Sequence, residues 1–334
     1  MKILFVTNRY PTTENPGDSP CIAQQRQALE RLGYEIDLLY IDSQKSRINY
    51  LKSAWLIFWK IQICRRYDIV HAHYGHYCGL VACLQLARPT IITFRGSDLL
   101  YHRELPISRW AAKLANRLIV MSQQMKTVLG KKSAEIIPYG IDLDRFRPLA
   151  RDQSRQKLSL SGDAPILLFP YDPSRKIKRY ALATAAVEIL KLEFPDIQII
   201  AIHDRPYEHI PLYMNACDVL IMTSKSEGAP VAVREAMACN LPIVSVDVGD
   251  VTSVIGTTDS CAIVDTEPEA IADSIAEILR TGKRSNGRNS ASEMSVSSFA
   301  RSVANIYEQL GAKRNLAGLQ PQLQPQLPKQ KPRI

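Results

Sequence analysis

Short runs of apolar and β-branched residues recur along the chain, separated by stretches whose apolar positions fall at helical spacing. KILFVT (2–7), EIDLLYI (35–41), DIVHAH (68–73), TIITF (90–94), RLIVMS (117–122) and EIIPYG (135–140) form a first series. PILLFP (165–170), DIQIIAI (196–202), DVLIMTS (218–224), PIVSVD (242–247) and CAIVD (261–265) form a second. Near-continuous apolar runs of this length suit strands buried on both faces of a sheet. Between them lie helical patterns such as CIAQQRQALERLG, which stops at Gly33, YALATAAVEILKLEF and VAVREAMAC. Strand, helix, strand with short links predicts a doubly wound parallel α/β sheet, and the architecture is written twice. The polar, basic, proline-bounded seam RFRPLARDQSRQKLSLSGDAP (145–165) separates the halves. This reading puts one domain at 1–148 and a second at 149–285. A link and an amphipathic helix at 286–312 return toward the first domain, and a Pro/Gln-rich disordered tail occupies 313–334.

One segment of the first half stands apart. RINYLKSAWLIFWKIQICRRY (47–67) gathers Leu51, Trp55, Phe58, Trp59 and Ile63 near one helical face, with Arg47, Lys52, Lys60, Arg65 and Arg66 around it. It reads either as a core-facing helix with a solvated basic rim or as a helix lying among lipid headgroups.

With 334 residues, the chain is long for one core and comfortable for two. No apolar run reaches the ~18 residues of a membrane span, and the apolar run after Lys2 is short for a signal peptide, so a cytoplasmic protein is expected. Its seven cysteines are odd in number and never spaced C-x-x-C, which argues against a disulfide framework or a zinc knuckle. The net charge of +9 points to an anionic partner: nucleic acid, a phosphorylated ligand or the acidic inner face of a membrane.

The most informative stretch is SEGAPVAVREAMACNLP (226–242), directly after the strand DVLIMTS. Pro230 suits the first helical position, because its missing N–H would have been unpaired there. The free amides and positive dipole end of that helix would face back across Gly228, where a diphosphate or sugar oxygens can approach the backbone closely. On the helix, Ala232, Glu235 and Ala236 share a face, while Val231, Val233 and Met237 lean toward the sheet. A carboxylate between alanines can accept both hydrogen bonds of a vicinal diol such as a ribose. Glu227 would face the opening at the carboxyl ends of the strands, where ligands bind in such sheets. The plain alternative makes both glutamates surface residues near a helix dipole. After PILLFP comes YDPSRKIKRY, with Arg175, Lys176, Lys178 and Arg179 in five positions, a cationic loop that would offset a diphosphate. His71 and His73 share a strand face near His76 and, with Cys78 nearby, imitate a metal site, but tetrahedral sites usually draw on a tighter set of ligands, and these residues are expected to line a cleft or pack at a strand end.

Together, S-x-x-E-G-x-P-x-x-x-x-E-A-M-A-x-x-x-P-I-V and IPYGIDLDRFRP resemble the signature and interdomain connector of retaining glycosyltransferases of family 4, also called glycosyl transferases group 1. The resemblance implies the GT-B fold, two facing Rossmann-like domains. It also implies a nucleoside diphosphate sugar, UDP- or GDP-type, held by the second domain, and a saccharide or lipid-linked hydroxyl acceptor held by the first. Carried onto this chain, it gives Glu235 the donor ribose and places Glu227 beside the transferred sugar. Backbone contacts to sugar and phosphate would come from Gly228, Ala229, Pro230 and Val231. Arg175 and Lys178 would cradle the diphosphate, and Gly17 would belong to the glycine-bearing loop that approaches the phosphates. No metal and no cofactor is expected, which fits the missing D-x-D motif.

The chain departs from that pattern in two places. TFRGSD stands where many members have T-H-G-S-D, so Arg95 replaces a histidine beside the sugar's 6-hydroxyl and Asp98 remains. An arginine there would suit a more acidic or differently oxygenated sugar, or would stabilise the leaving phosphate. IHDRPYEHIPLYMNACDV is shorter than the usual stretch before the signature. The resemblance thus predicts a retaining hexosyltransferase of polysaccharide or glycoconjugate synthesis, cytoplasmic or peripheral on the inner membrane face, with Glu227, Asp98 and Arg95 at the reacting centre. A nucleotide-sugar 2-epimerase of the same fold is the alternative. A basic nucleic-acid-binding protein is less favoured, since no helix-turn-helix or RNA-binding signature is present.

Overall fold

The computed structural model describes residues 1–15, 17–42, 46, 48–64, 66–160, 162–203 and 205–319. Arg47 and Arg65 of the basic rim, and positions 320–334 of the expected tail, lie outside the described residues.

Each series of apolar runs becomes one all-parallel sheet. The first contains β1 (Lys2–Thr7), β2 (Glu35–Tyr40), β3 (Ile69–His73), β4 (Thr90–Thr93), β5 (Arg117–Val120) and β6 (Glu135–Ile136), in the order β2-β1-β3-β4-β5-β6. The second contains β7 (Ile166–Phe169), β8 (Gln198–Ala201), β9 (Val219–Met222), β10 (Ile243–Val246) and β11 (Cys261–Val264), in the order β11-β10-β9-β7-β8. In both sheets the strand order reverses beside the first strand, and that reversal opens a crevice at the carboxyl ends where loops can hold a ligand. β1, β3, β4, β7, β9 and β10 are buried along almost their whole length, which is why their sequences are apolar without alternation.

The seam between the sheets folds tightly. A helix, Arg151–Lys157, forms inside it, and Arg155 is buried there, donating to Asp218 and to the carbonyls of Ala216, Gly162 and Ala164. The chain then crosses back to the first domain. Ile141 N–H donates to the Met294 carbonyl at 2.7 Å, and Val296 N–H donates to the Ile141 carbonyl at 3.0 Å. Gly140 is required at this crossing, because a Cβ there would lie 2.5 Å from Val296 Cα. The last helix, Val296–Leu319, contributes Phe299, Val303, Ile306 and Tyr307 to the core of the first sheet, and its backbone runs past the expected end at 312.

The segment at 48–63 corrects the core-facing expectation. It forms a helix, Ile48–Ile57, that passes into a wider π-helical turn, Phe58–Ile63. The buried side is Ser53, Ile57 and Ile61. Leu51 (72% exposed), Trp55 (67%), Phe58, Trp59 and Ile63 all face outward, and the two indoles stack 6.0 Å apart. The narrow inner stripe is sufficient for packing, which leaves the broad aromatic face free.

Candidate active site

The carboxyl ends of the two sheets face each other across a cavity of about 350 Å³. Its first-domain wall includes Ser19 and Cys21 at the start of the helix Pro20–Arg31, Tyr74 after β3, Arg95 after β4 and Tyr139 after β6. Tyr171 after β7, Tyr207, Glu227, Glu235 and the turn 228–232 form the second-domain wall.

The turn after β9 sits where the domains touch. The helix starts at Val231, one residue later than expected, with Pro230 extended at its N-cap. Ala229 packs into the first-domain core, and Val231 touches the cores of both domains. A Cβ on Gly228 would lie 3.0 Å from Gly96 Cα and 3.0 Å from Met125 Sδ, so its close approach is to the opposite domain's backbone. Gly96 itself holds φ +127°, a conformation that glycine adopts without strain. The helix Val231–Ala238 is consequently buried nearly all round. Ala236 belongs to the core and not to the ligand face, whereas Val231, Ala232 and Glu235 line the cavity. Arg234, only 1% exposed, anchors this helix by pairing with Asp250 after β10.

Glu235 reaches the cavity but is not idle. Its Oε1 accepts the Tyr207 hydroxyl at 2.7 Å, and the Tyr207 ring lies beside Phe146 and under the Arg145 guanidinium. Burial raises the Glu235 carboxyl to about 7, against the lowering effects of the Tyr207 bond and Arg145.

The basic loop divides its cations. Arg179 donates to the carbonyls of Thr223 and Ser224, tying the loop to the end of β9. Lys178 is buried, lies 3.5 Å from the centroid of the Tyr171 ring and pairs with Glu227 at 2.5 Å. Burial lowers the Lys178 ammonium despite that partner, and the same burial, with Glu227 beside it, raises the Tyr171 phenol. Arg175 is exposed at the start of the turn Lys176–Lys178, makes no side-chain hydrogen bond or ion pair among the described residues, and does not line the cavity.

Arg95 and Asp98 separate. Asp98 is fully buried and accepts the backbone N–H groups of Gly75, Arg95 and Gly96, so it shapes the loop and does not line the cavity. Arg95 does line it. Gly17 is exposed, with no atom within 4 Å of an added Cβ, and is not part of the cavity wall. His71 and His73 stack 4.5 Å apart inside the first domain, and burial holds both neutral, His71 near a pKa of about 3. His71 bonds Tyr307 and Thr93, and His73 accepts from Arg95. Among the described residues no three His, Cys, Asp or Glu side chains gather as a metal-holding group.

Comparison with known proteins identifies this architecture. A family model for glycosyl transferases group 1 matches residues 183–294, and one for glycosyltransferase family 4 matches residues 15–145. The chain belongs to the group 1 glycosyltransferases. It is 22% identical to the "Putative teichuronic acid biosynthesis glycosyltransferase TuaC" of Bacillus subtilis, over 82% of this chain and 88% of that protein. The structure of sucrose-phosphate synthase from Thermosynechococcus elongatus superimposes with a TM-score of 0.73 at 18% identity, over 93% of this chain and 99% of that one. HepE of Anabaena in complex with UDP does so with a TM-score of 0.69 at 16% identity, over 92% and 100%. The fold of this glycosyltransferase is therefore GT-B.

Reading the sequence missed the aromatic lining of the glycosyltransferase cavity. Tyr74 follows β3 directly and Tyr139 lies three residues after β6, positions at the carboxyl ends of strands that could have flagged them. Tyr207 offered no signal, since its partner Glu235 is distant in the chain.

The raised Glu235 carboxyl gives this glycosyltransferase a pH signature. The folded value of about 7 lies above the ordinary 4.5, so the stability tied to this group is complete below the ordinary value and lost as pH rises through about 7. Relative to Glu235→Gln, the unliganded wild type should lose about 3 kcal/mol between pH 5 and pH 8 in urea denaturation. A constant difference across that range would mean the carboxyl is not buried as described.

Proposed function

We propose that this glycosyltransferase moves a hexose-type unit from a UDP- or GDP-sugar to a hydroxyl of a saccharide or lipid-linked acceptor, with retained anomeric configuration, in polysaccharide or glycoconjugate synthesis. The observation that carries this reading is the convergence of Glu235, Glu227 and the start of the helix at Val231 on one interdomain cavity, with Lys178 paired to Glu227 behind the cavity wall. Glu235 accepts the ribose diol once Tyr207 yields its bond. The diphosphate lies against the amides at the helix start, with Lys178 and Arg175 supplying positive charge. Glu227 accepts hydroxyls of the transferred sugar. The bond from the anomeric carbon to the phosphate oxygen breaks as the acceptor oxygen bonds that carbon, and the acceptor's proton passes to the departing phosphate. These steps call on no metal and no cofactor. The name of the B. subtilis relative and the UDP held by HepE agree with this substrate class.

The test is nucleotide release from a panel of UDP- and GDP-sugars with saccharide acceptors, with the new linkage read by NMR. Acceptor-dependent release and a retained anomeric centre are expected. An inverted product contradicts retention, and acceptor-independent conversion to a 2-epimer favours the epimerase.

The exposed Trp55–Trp59 face, with Lys52, Lys60 and Arg66 on the same segment, suits peripheral contact with an acidic bilayer, the contact that a lipid-linked acceptor would need. No helix among the described residues is long and apolar enough to cross a membrane. Co-sedimentation with phosphatidylglycerol vesicles is expected to fall about 10-fold in the Trp55→Ser/Trp59→Ser variant. Equal sedimentation of both proteins would remove the helix from this role.

A further inference from the structure

Arg95 carries a charge that no ion pair among the described residues answers. Its side chain is 7% exposed, yet every acceptor around it is neutral: Gln25 Oε1 at 2.7 Å, His73 Nδ1 at 2.8 Å, Cys21 Sγ at 3.6 Å and the Tyr139 ring at 5.1 Å. Its Nε has no partner among the described residues. The carboxylate nearest in sequence, Asp98, is consumed by backbone amides. Burial keeps the Cys21 thiol and the Tyr139 phenol protonated, so neither neighbour becomes the missing anion. Across the cavity, Glu227 is neutralised by Lys178 and Glu235 is occupied by Tyr207.

A guanidinium taken out of water carries a desolvation cost that a facing anion offsets. Gln25 and His73 act as positioning residues, holding the fork from behind with acceptors that direct it without cancelling its charge. Arg95 is also one of the residues that line the cavity.

We propose that Arg95 receives a carboxylate or phosphate borne by the saccharide part of a substrate, either the transferred unit or the acceptor, so that this enzyme works on acidic sugars. The inference rests on the donor-site reading above and adds the class of sugar to it.

Calorimetry separates the two ideas. UDP and GDP alone report on the donor site. The donor arm compares UDP-glucuronate with UDP-glucose, and GDP-mannuronate with GDP-mannose. The acceptor arm compares glucuronate and glucose 6-phosphate with glucose, with and without nucleotide. Wild type is expected to prefer the anionic member of at least one comparison by about 10-fold, and the arm in which this occurs identifies the source of the anion. Arg95→Gln is expected to bring that ratio close to one. Arg95→Lys, which keeps the charge but loses the fork, should retain part of it, and it serves as the second variant if Arg95→Gln does not fold. Absence of a preference in every arm overturns the inference. So does an Arg95→Gln variant that weakens UDP alone by the same factor, since Arg95 would then serve the diphosphate. Failure of both UDP and GDP to bind overturns the donor reading instead, and the nucleotide-free acceptor arm still decides the role of Arg95.

Discussion

Glu227→Gln is expected to slow sugar transfer by about 100-fold, the rate equivalent of the ~3 kcal/mol that a hydrogen bond to a charged acceptor can supply. The same change should lower stability, because Glu227 and Lys178 form a largely shielded ion pair at 2.5 Å, with side chains 12% and 6% exposed. Removing one partner strands the other charge, at a cost of about 3 kcal/mol. Lys178→Met should cost a similar amount. The double variant should lose much less than the sum, with a coupling of about 2 kcal/mol in urea denaturation. Additive losses would show that the pair is not formed in solution. A transfer rate within a few-fold of wild type would remove Glu227 from the reacting centre.

Arg234→Met should be the most damaging single change away from the cavity wall. Arg234 heads the largest fully buried side chains and joins the helix Val231–Ala238 to the turn after β10 through Asp250. Without it Asp250 keeps a charge at 11% exposure, for which about 3–5 kcal/mol of lost stability is expected. Nucleotide affinity should fall as well, since the start of that helix lines the cavity. Replacing Asp250 with Asn in the Arg234→Met background should restore part of the stability, because the stranded charge is removed. A loss below about 1 kcal/mol would mean that the helix is held by packing alone.

Legibility along the chain followed the physics of burial. β1, β7 and β9 announced themselves because a strand covered on both faces needs an unbroken apolar run. The helix at 48–57 was equally visible, but periodicity reports that a helix has two faces without saying which one is covered. Its aromatic face, the larger of the two, is outside. The turn at 226–231 was readable because Pro230 suits a helix start and Gly228 permits close approach, although what approaches Gly228 is the other domain, and Lys178 because cations clustered after a strand. What stayed hidden was nonlocal. Ala236 looked cavity-facing until the core of its own domain was seen to take it in, and Asp98 looked catalytic until its loop amides were seen to occupy it. Tyr207 and Gln25 acquire meaning only from partners elsewhere in the chain, Glu235 for one and Arg95 for the other.

The proposed transfer requires a nucleoside diphosphate sugar in the interdomain cavity with its ribose on Glu235. Titrating UDP and GDP into wild type and Glu235→Ala by calorimetry tests it most directly. One nucleotide is expected to bind the wild type at one site, and the variant to weaken it by about 10-fold or more, the loss of a charged hydrogen-bond acceptor. Binding of neither nucleotide, or equal affinity in both proteins, would contradict it.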